Sequence, residues 1–556
     1  MSNPITSLFL LLAASSIGLQ AYCQVVPVGT TAVEDWYRKA QLLGRIDSNI
    51  SFNIRPLTAQ ALKRDNLYNP TDTTYTAKDI YFQWIPVTVG LQYNSSFPTG
   101  RNDGPIIPAV GAQTYLSAGF AASYKFISVQ LRPEHIWAAN GDFQGFNSEE
   151  RRHWQEWYRL RGNSIDLPER FGTGPYTKLL PGQSSIRFNF HPISIGLSTE
   201  NLWWGPGVHN SLMMTNTAPG FAHISINTTR PISTGIGSFE GQLIGGRLES
   251  SGFLPNYNES KQEYRQAFYQ LKPDDWRYLS ALVISYQPKW LPGLSVGGTR
   301  AINTYASDIG NNFFQWLPVF SLKSAKSEYL DDPENPLARD QLFSLFTRWV
   351  IPRENAEVYF EFGRNDNSWD MRDFIVQLEH SRAYILGFRK LVPLQPDGQM
   401  LDIGIEITQT ENGKTAISRP AGTWYRHSGV KHGYTHMGQP LGAGINLGGN
   451  LQTLQVSWFK ELKKLGFRFE REVHNNDLFY QMNMGDLRRN WVDLSGQLFA
   501  EWDYRNFIFS GNMQLTRALN YQYELEENQT EMGNFWNFIR QDRHNFFINI
   551  GAMYRF

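Results

Sequence analysis

The segment 424–436 brings together Trp424, Tyr425, Arg426, His427, His432, Tyr434 and His436. Aromatic rings offer flat apolar faces to the C–H face of a sugar, and their polar tips reach its hydroxyls. Arg and His supply hydrogen bonds to uronates and other acidic sugars. The candidate polysaccharide-binding set is therefore Trp424, Tyr425, Arg426, His427, Tyr434 and His436. His427, His432 and His436 could instead ligate a metal. Their successive spacings of five and four residues fit no known ligand pattern, and no carboxylate lies close by. Ordinary loop structure is the third reading. No metal and no cofactor is expected.

A second motif occupies 198–211, STENLWWGPGVHNS. Asn201, Trp203, Trp204, Gly205, Pro206 and Gly207 join two indoles to a tight turn, with φ fixed at the proline and free at the flanking glycines. It reads either as a sugar-stacking platform or as a packing wedge that closes an interior. Catalytic signatures are missing: the sequence has no G-x-S-x-G elbow and no H-E-x-x-H. Gly442, Gly444 and Gly448 have the wrong spacing for a dinucleotide loop. A pair among Glu357, Glu361, Asp402 and Glu406 could in principle hydrolyse glycosides. Their alternation with apolar residues instead predicts routine solvent-facing fillers of a barrel lumen, and no enzyme is expected.

The elements that must hold these residues are strands. Leu401, Ile403, Ile405 and Ile407 alternate with Asp402, Gly404, Glu406 and Thr408, and the stretches 357–362, 492–503 and 507–516 alternate in the same way. A soluble sandwich also alternates. Here the runs reach about ten residues and end in aromatics such as Trp502 and Tyr504, as membrane-spanning strands do. The last eleven residues, FFINIGAMYRF, place Phe546, Ile548, Ile550, Ala552, Tyr554 and Phe556 on one face. Tyr554 and the terminal Phe556 resemble the closing-strand signal read by the barrel-assembly machinery. Sixteen to eighteen strands are expected between Trp84 and Phe556, giving an all-β, transmembrane outer-membrane β-barrel.

Composition agrees. The chain has 556 residues, zero formal net charge and 14% aromatic residues. Zero charge without a basic tract argues against nucleic acid. Negative mean hydropathy excludes a helical membrane bundle but not a barrel with a wet lumen. Residues 1–23 read as a signal peptide, with a short apolar run from Leu8 and small residues around Cys23, although Met1–Thr6 lacks Lys and Arg. The sole cysteine, Cys23, would leave with it; a lipid anchor on Cys23 is the alternative reading. Residues 24–80 read as a small periplasmic helical region or a disordered tether. A helix face runs through Val33, Trp36, Tyr37, Ala40 and Leu43, Thr31 is its N-cap, and a second short helix starts at Thr58. Residues 81–556 form the barrel. The tight turns at Tyr504–Phe507 and Glu461–Lys464 alternate with long connections at 412–450, 475–491 and 522–545. Short periplasmic turns and long external loops give this alternation if Phe556 ends in the periplasm. Residues 146–172 interrupt the strand pattern and are expected to plug the lumen or pack beneath the barrel.

The motif at 200–207 resembles the capsule assembly protein Wzi family, as do IDLPERFG at 165–172, GQSSIRF at 182–188 and YRHSGVKHGYTHMGQPLG at 425–442. These segments come in the family order along most of the chain. The resemblance implies a barrel of about eighteen antiparallel strands with a small helical bundle at its periplasmic face. It also implies a lectin that binds and anchors capsular or other surface polysaccharide during capsule assembly. Expected partners are that polysaccharide, outer-membrane lipid and the barrel-assembly machinery. No nucleic acid is expected, and the protein is expected to be a monomer. A porin-like channel for small solutes is the competing reading.

Overall fold

In the computed structural model, alternation places apolar side chains outside and polar ones inside. Along Ile193–Ser198, Ile193, Ile195 and Leu197 are exposed while Ser194, Gly196 and Ser198 are buried. A soluble sandwich would do the reverse. Only a wall facing lipid outward and an ordered polar interior inward fits this pattern. The structure describes residues 25–46, 49–58, 67–68, 75–77, 80–256, 261–310, 312–321, 339–365, 371–394, 398–419, 421–445, 447–482, 486–524, 526–527, 538–539 and 541–556. The expected signal segment and most of the second helix expected after Thr58 lie outside these; Thr58 itself is in a two-residue strand, Leu57–Thr58.

Eighteen antiparallel strands close on themselves. The first, Ile80–Asn94, pairs with the second, Gly111–Tyr124, and also with the last, Arg543–Tyr554, where Val87 meets Tyr554 and Asn94 meets Phe547. Three strands are interrupted: Ile127–Leu131 continues as Glu134–Ala138, Tyr176–Leu180 as Ser185–Phe190, and His223–Thr228 as Ile232–Ser233. The terminal Phe556 ring lies 6.3 Å from Trp84 and 5.3 Å from Tyr554, in an aromatic cluster at one rim.

The turns at one end are short, such as those at 125–126, 461–462 and 505–506, whereas 139–175, 199–222, 249–276 and 410–449 connect strands at the other end. This is the expected parity. The helix Thr31–Leu42 sits at the short-turn end, where Trp36 donates from Nε1 to Glu461 at 3.2 Å. Val33, Tyr37 and Ala40 are buried, as expected of the apolar face. Glu34, Arg38, Lys39 and Gln41 are buried too, because the wall they meet is itself polar. Thr31 is the first helical residue; Thr30 occupies the cap position without a side-chain hydrogen bond.

Residues 146–172 lie at the long-loop end, not beneath the barrel. Arg151–Trp157 and its continuation Tyr158–Gly162 pack Phe146, Trp154, Trp157 and Tyr158 against Leu478, Phe479 and Tyr523. Ile165 then enters the main core inside the barrel.

Candidate functional site

The chain positions the Trp-Trp turn from both ends of the barrel. Residues 199–222 leave the strand ending at Ser198 and dip into the lumen, where Trp203–Trp204 pairs antiparallel with Ile54–Arg55, which enter from the short-turn side. Asn201 is held by Gln183, accepting from Nε2 at 2.8 Å, and donates from Nδ2 to the Ala218 carbonyl at 2.8 Å. Trp204 is fully buried and donates from Nε1 to Gln242 at 2.9 Å. The Arg55 guanidinium covers the Trp203 ring at 4.2 Å. Neither indole has a face open to a sugar, so the packing-wedge reading describes this geometry.

The turn itself locks three parts of the molecule together. Gly205, at φ +137°, donates its N–H to Asn53 O at 2.8 Å, and a Cβ there would collide with Ser211 and Glu361. At Gly207 a Cβ would overlap the Asn210 carbonyl. Pro206 O accepts from Arg38 Nη2 at 2.7 Å, linking the turn to the amino-terminal helix. The next three backbone N–H groups, of Val208, His209 and Asn210, converge on the Glu406 carboxylate at 2.7, 3.0 and 2.8 Å, joined by the Tyr359 hydroxyl at 2.8 Å. Successive N–H groups forming a concave nest are an anion site; here the anion is a carboxylate of the barrel wall.

The interior carboxylates correct the expectation of solvent-facing fillers. Glu357, Glu361, Asp402 and Glu406 do point inward, but all are buried. Glu357 pairs with Arg38 at 2.8 Å and Arg348 at 2.7 Å, and Asp402 with Arg389 at 2.6 Å. Asp35 joins Arg389, Lys39 and Lys464 at 2.6, 3.0 and 2.9 Å. Burial opposes the Asp35 charge, yet these three cations hold its carboxyl well below the usual range.

The 424–436 set divides in two. Trp424, Tyr425, Tyr434 and His436 are buried inside the barrel mouth. Tyr425 and Tyr434 stack at 6.0 Å, Trp424 Nε1 donates to Ser381 O at 3.0 Å, and Tyr425 Oη donates to Leu212 O at 2.8 Å. The reason is hydrophobic: these rings complete the core with Leu212, Met213 and Trp204. His432 lies 2.9 Å from the Tyr305 hydroxyl, and His436 Nδ1 accepts from Glu249 N at 3.1 Å. Burial, with Arg277 nearby, pushes both imidazoles down to about 3. Among the described residues no group of His, Cys, Asp and Glu could hold a metal.

Arg426 and His427 remain partly open to solvent at the outer end, and they meet residues that sequence reasoning had not singled out. Arg426 Nη1 donates to Arg159 O at 3.4 Å, Lys272 Nζ to Gly162 O at 2.6 Å, and Lys431 Nζ to Gln270 Oε1 at 3.3 Å. None of these three cations has an ion-pair partner among the described residues. Asp477 and Glu156 act on Arg426, and Asp166 on Lys272, only through the field. Burial, reinforced by Lys431 and Arg277, pushes Lys272 down to about 8. Rings border these charges: Tyr264 stacks on Trp154 at 5.6 Å, Arg151 covers Phe268 at 5.0 Å, and Lys272 lies 5.5 Å from the Tyr269 ring centre. The signal for this face was distributed over three loops, and only their convergence makes it visible.

The described outer face thus carries partly exposed rings beside cations in search of an anion. The family profile for capsule assembly protein Wzi matches residues 101–532. No curated protein matches the chain in sequence. Among solved structures, Wzi of Escherichia coli, an outer-membrane protein described as a carbohydrate-binding β-barrel involved in group 1 capsule assembly, superposes with a TM-score of 0.56 at 13% identity, covering 95% of this chain and 98% of that one. The BenF-like porin of Pseudomonas fluorescens Pf-5 gives a TM-score of 0.37 at 9% identity (86% and 99% covered), and OprD of Pseudomonas aeruginosa 0.35 at 8% (86% and 93%). Likeness at these two TM-scores carries no weight for fold or role. With its profile match over most of its length and its closed eighteen-stranded wall, the chain is a bacterial outer-membrane barrel that belongs to the capsule assembly protein Wzi family.

Proposed function

We propose that this protein is a non-catalytic outer-membrane lectin that holds a capsular or other surface polysaccharide at its long-loop end. The observation that carries the reading is the outer face on which Arg426, Lys431 and Lys272, unpaired by carboxylates among the described residues, bond to the loops that carry Trp154, Tyr264, Phe268 and Tyr269, with Lys272 over the Tyr269 ring. Rings stack on sugar C–H faces, and fixed cations bind carboxylate or phosphate substituents with charge-assisted hydrogen bonds. Each contact is weak. A polymer engages many protein copies at once, so avidity replaces affinity. The protein works as a monomer in outer-membrane lipid, and its last strand, with Tyr554 and Phe556, is what the barrel-assembly machinery reads.

A wide solute pore does not suit the packed interior, where residues 199–222, 423–445 and the amino-terminal segment fill the lumen with buried side chains. The test is retention of surface polymer on cells producing Arg426→Gln, Lys431→Gln and Lys272→Gln together, compared with the parent and with a deletion strain. Polymer released to the medium, with the barrel still folded, supports the site. Retention equal to the parent's rejects it, and stable large single-channel currents in planar bilayers would return the channel reading.

A further inference from the structure

After Tyr305, the described residues 306–310 and 312–321 fold back over the lipid side of the wall. The wall strands involved are Arg277–Pro288, Leu294–Tyr305 and Arg339–Ile351. Arg277 points inward, to the Gly433 carbonyl in the lumen, and Tyr305 points inward to His432. Their neighbours Tyr278, Ser280, Arg300, Ile302, Thr304 and Gln341 therefore point outward, toward lipid. Lower on the same faces the outward residues are apolar and exposed: Ile284, Val296, Leu345 and Trp349. The upper residues are largely polar, yet Ser280, Ile302 and Thr304 are 0%, 3% and 2% exposed.

The cover is residues 306–310 and 312–321. Tyr278 donates its hydroxyl to Trp316 O at 2.7 Å, and the two rings meet edge to face at 5.0 Å. Arg300 donates from Nη1 to Val319 O at 2.9 Å and Ser321 O at 2.6 Å, and from Nη2 to Gln341 at 3.1 Å. Pro318 and Val319 are buried against the wall. On its far side the segment turns Phe313, Trp316 and Phe320 outward, exposed by 70%, 38% and 57%.

Height on the wall says what covers these rings. Ser280 lies ten residues along the chain from the exposed Trp290 of the short-turn rim. At about 3.3 Å per residue and a tilt of about 40°, that is roughly 25 Å up the wall, the full height of an apolar barrel band. The covered polar patch thus sits at the outer border of the membrane, where an aromatic girdle belongs. At that level Ser280, Thr304 and Gln341 bring no ring to the girdle beside Tyr278.

We propose that residues 306–310 and 312–321 belong to a membrane-interface flap, which inserts Trp316, Phe320 and Phe313 at the boundary between acyl chains and headgroups of the outer leaflet, with Arg300 as the staple that holds it to the wall. The flap hides wall polarity from lipid and replaces it with rings whose amphipathic character suits that boundary.

A spin label at Phe320→Cys in a Cys23→Ser background, in full-length protein refolded into phosphatidylcholine vesicles, tests this. Collision rates with oxygen, which partitions into lipid, are compared with those of a water-soluble nickel chelate. Labels at Leu345→Cys, on the lipid-facing wall, and Leu271→Cys, at the outer end, set the two limits. The label at 320 should follow Leu345. If it follows Leu271, the flap is in water and the proposal fails; if it is shielded from both reagents, a protein surface covers it and the proposal equally fails. Adding Arg300→Met should move the reading from oxygen toward nickel as the flap lifts. An unchanged reading in that variant would remove Arg300 from its role.

Discussion

Replacing Arg38 with Met should loosen the amino-terminal helix from the barrel without disturbing the wall. Arg38 is 4% exposed; it pairs with Glu357 at 2.8 Å and donates to the Pro206 carbonyl at 2.7 Å. Met keeps the length of the stem and removes every one of these bonds. Glu357 is left with Arg348 alone, and two carbonyls of the Trp-Trp-Gly-Pro-Gly turn lose a donor. Removing one partner of a buried ion pair costs about 3–5 kcal/mol, because the remaining charge stays desolvated. At about 1.4 kcal/mol per factor of ten, amides of Thr31–Leu42 should exchange with solvent deuterium roughly two to four orders of magnitude faster. Strand amides such as those of Phe507–Leu519 should not change. The Asp35 cluster with Arg389 and Lys464 still ties the helix down, so Asp35→Asn added to Arg38→Met should give more than the sum of the single effects. Unchanged exchange in Arg38→Met would refute the reasoning and assign the docking of the helix to the Asp35 cluster and apolar contacts.

Three further outcomes are expected. Gly207→Ala should fail to form the carboxylate nest around Glu406, because its Cβ would overlap the Asn210 carbonyl; partial proteolysis should then cut within 199–222, whereas Gly235→Ala, with open space around it, should resist like the parent. Polymer binding at the outer face should weaken as pH rises through about 8, since Lys272 loses its proton there and an anion favours the protonated form; Lys272→Arg should abolish that dependence in a binding titration. His432 and His436, held down to about 3, bind fewer protons folded than unfolded, so their contribution is intact above about 6.5 and is lost as pH falls toward 3, by about 1.4 kcal/mol per pH unit for each ring. Asp103 and Glu169, raised by burial to about 7, act in the opposite sense, so the measurement is the difference in melting temperature against pH between the parent and His432→Gln/His436→Gln; identical slopes would count against the buried neutral imidazoles.

The sequence by itself determined the wall. A period of two assigns each residue to a face, and the contrast between faces, with the short and long connections, settled a barrel, its closure at Arg543–Tyr554 and the end at which the loops gather. It also marked the Trp203-Trp204 turn and the 424–436 cluster as special. What it left open was depth. Trp424 and Tyr425 sit in a connecting segment, where exposure is the ordinary expectation. They are buried because Gly363, Leu212 and Ser381, far away in sequence, leave a space of their shape inside the mouth. Likewise Glu357 and Glu406 alternate just as solvated lumen residues would. Only the arrival of Arg38 and of the 208–210 backbone, from opposite ends of the barrel, turns them into buried anchors. The outer cations Arg426, Lys431 and Lys272 and the flap over Tyr278 have the same origin. Periodicity is local and reports which way a side chain points, whereas what meets it there is fixed by loops that return from distant parts of the chain.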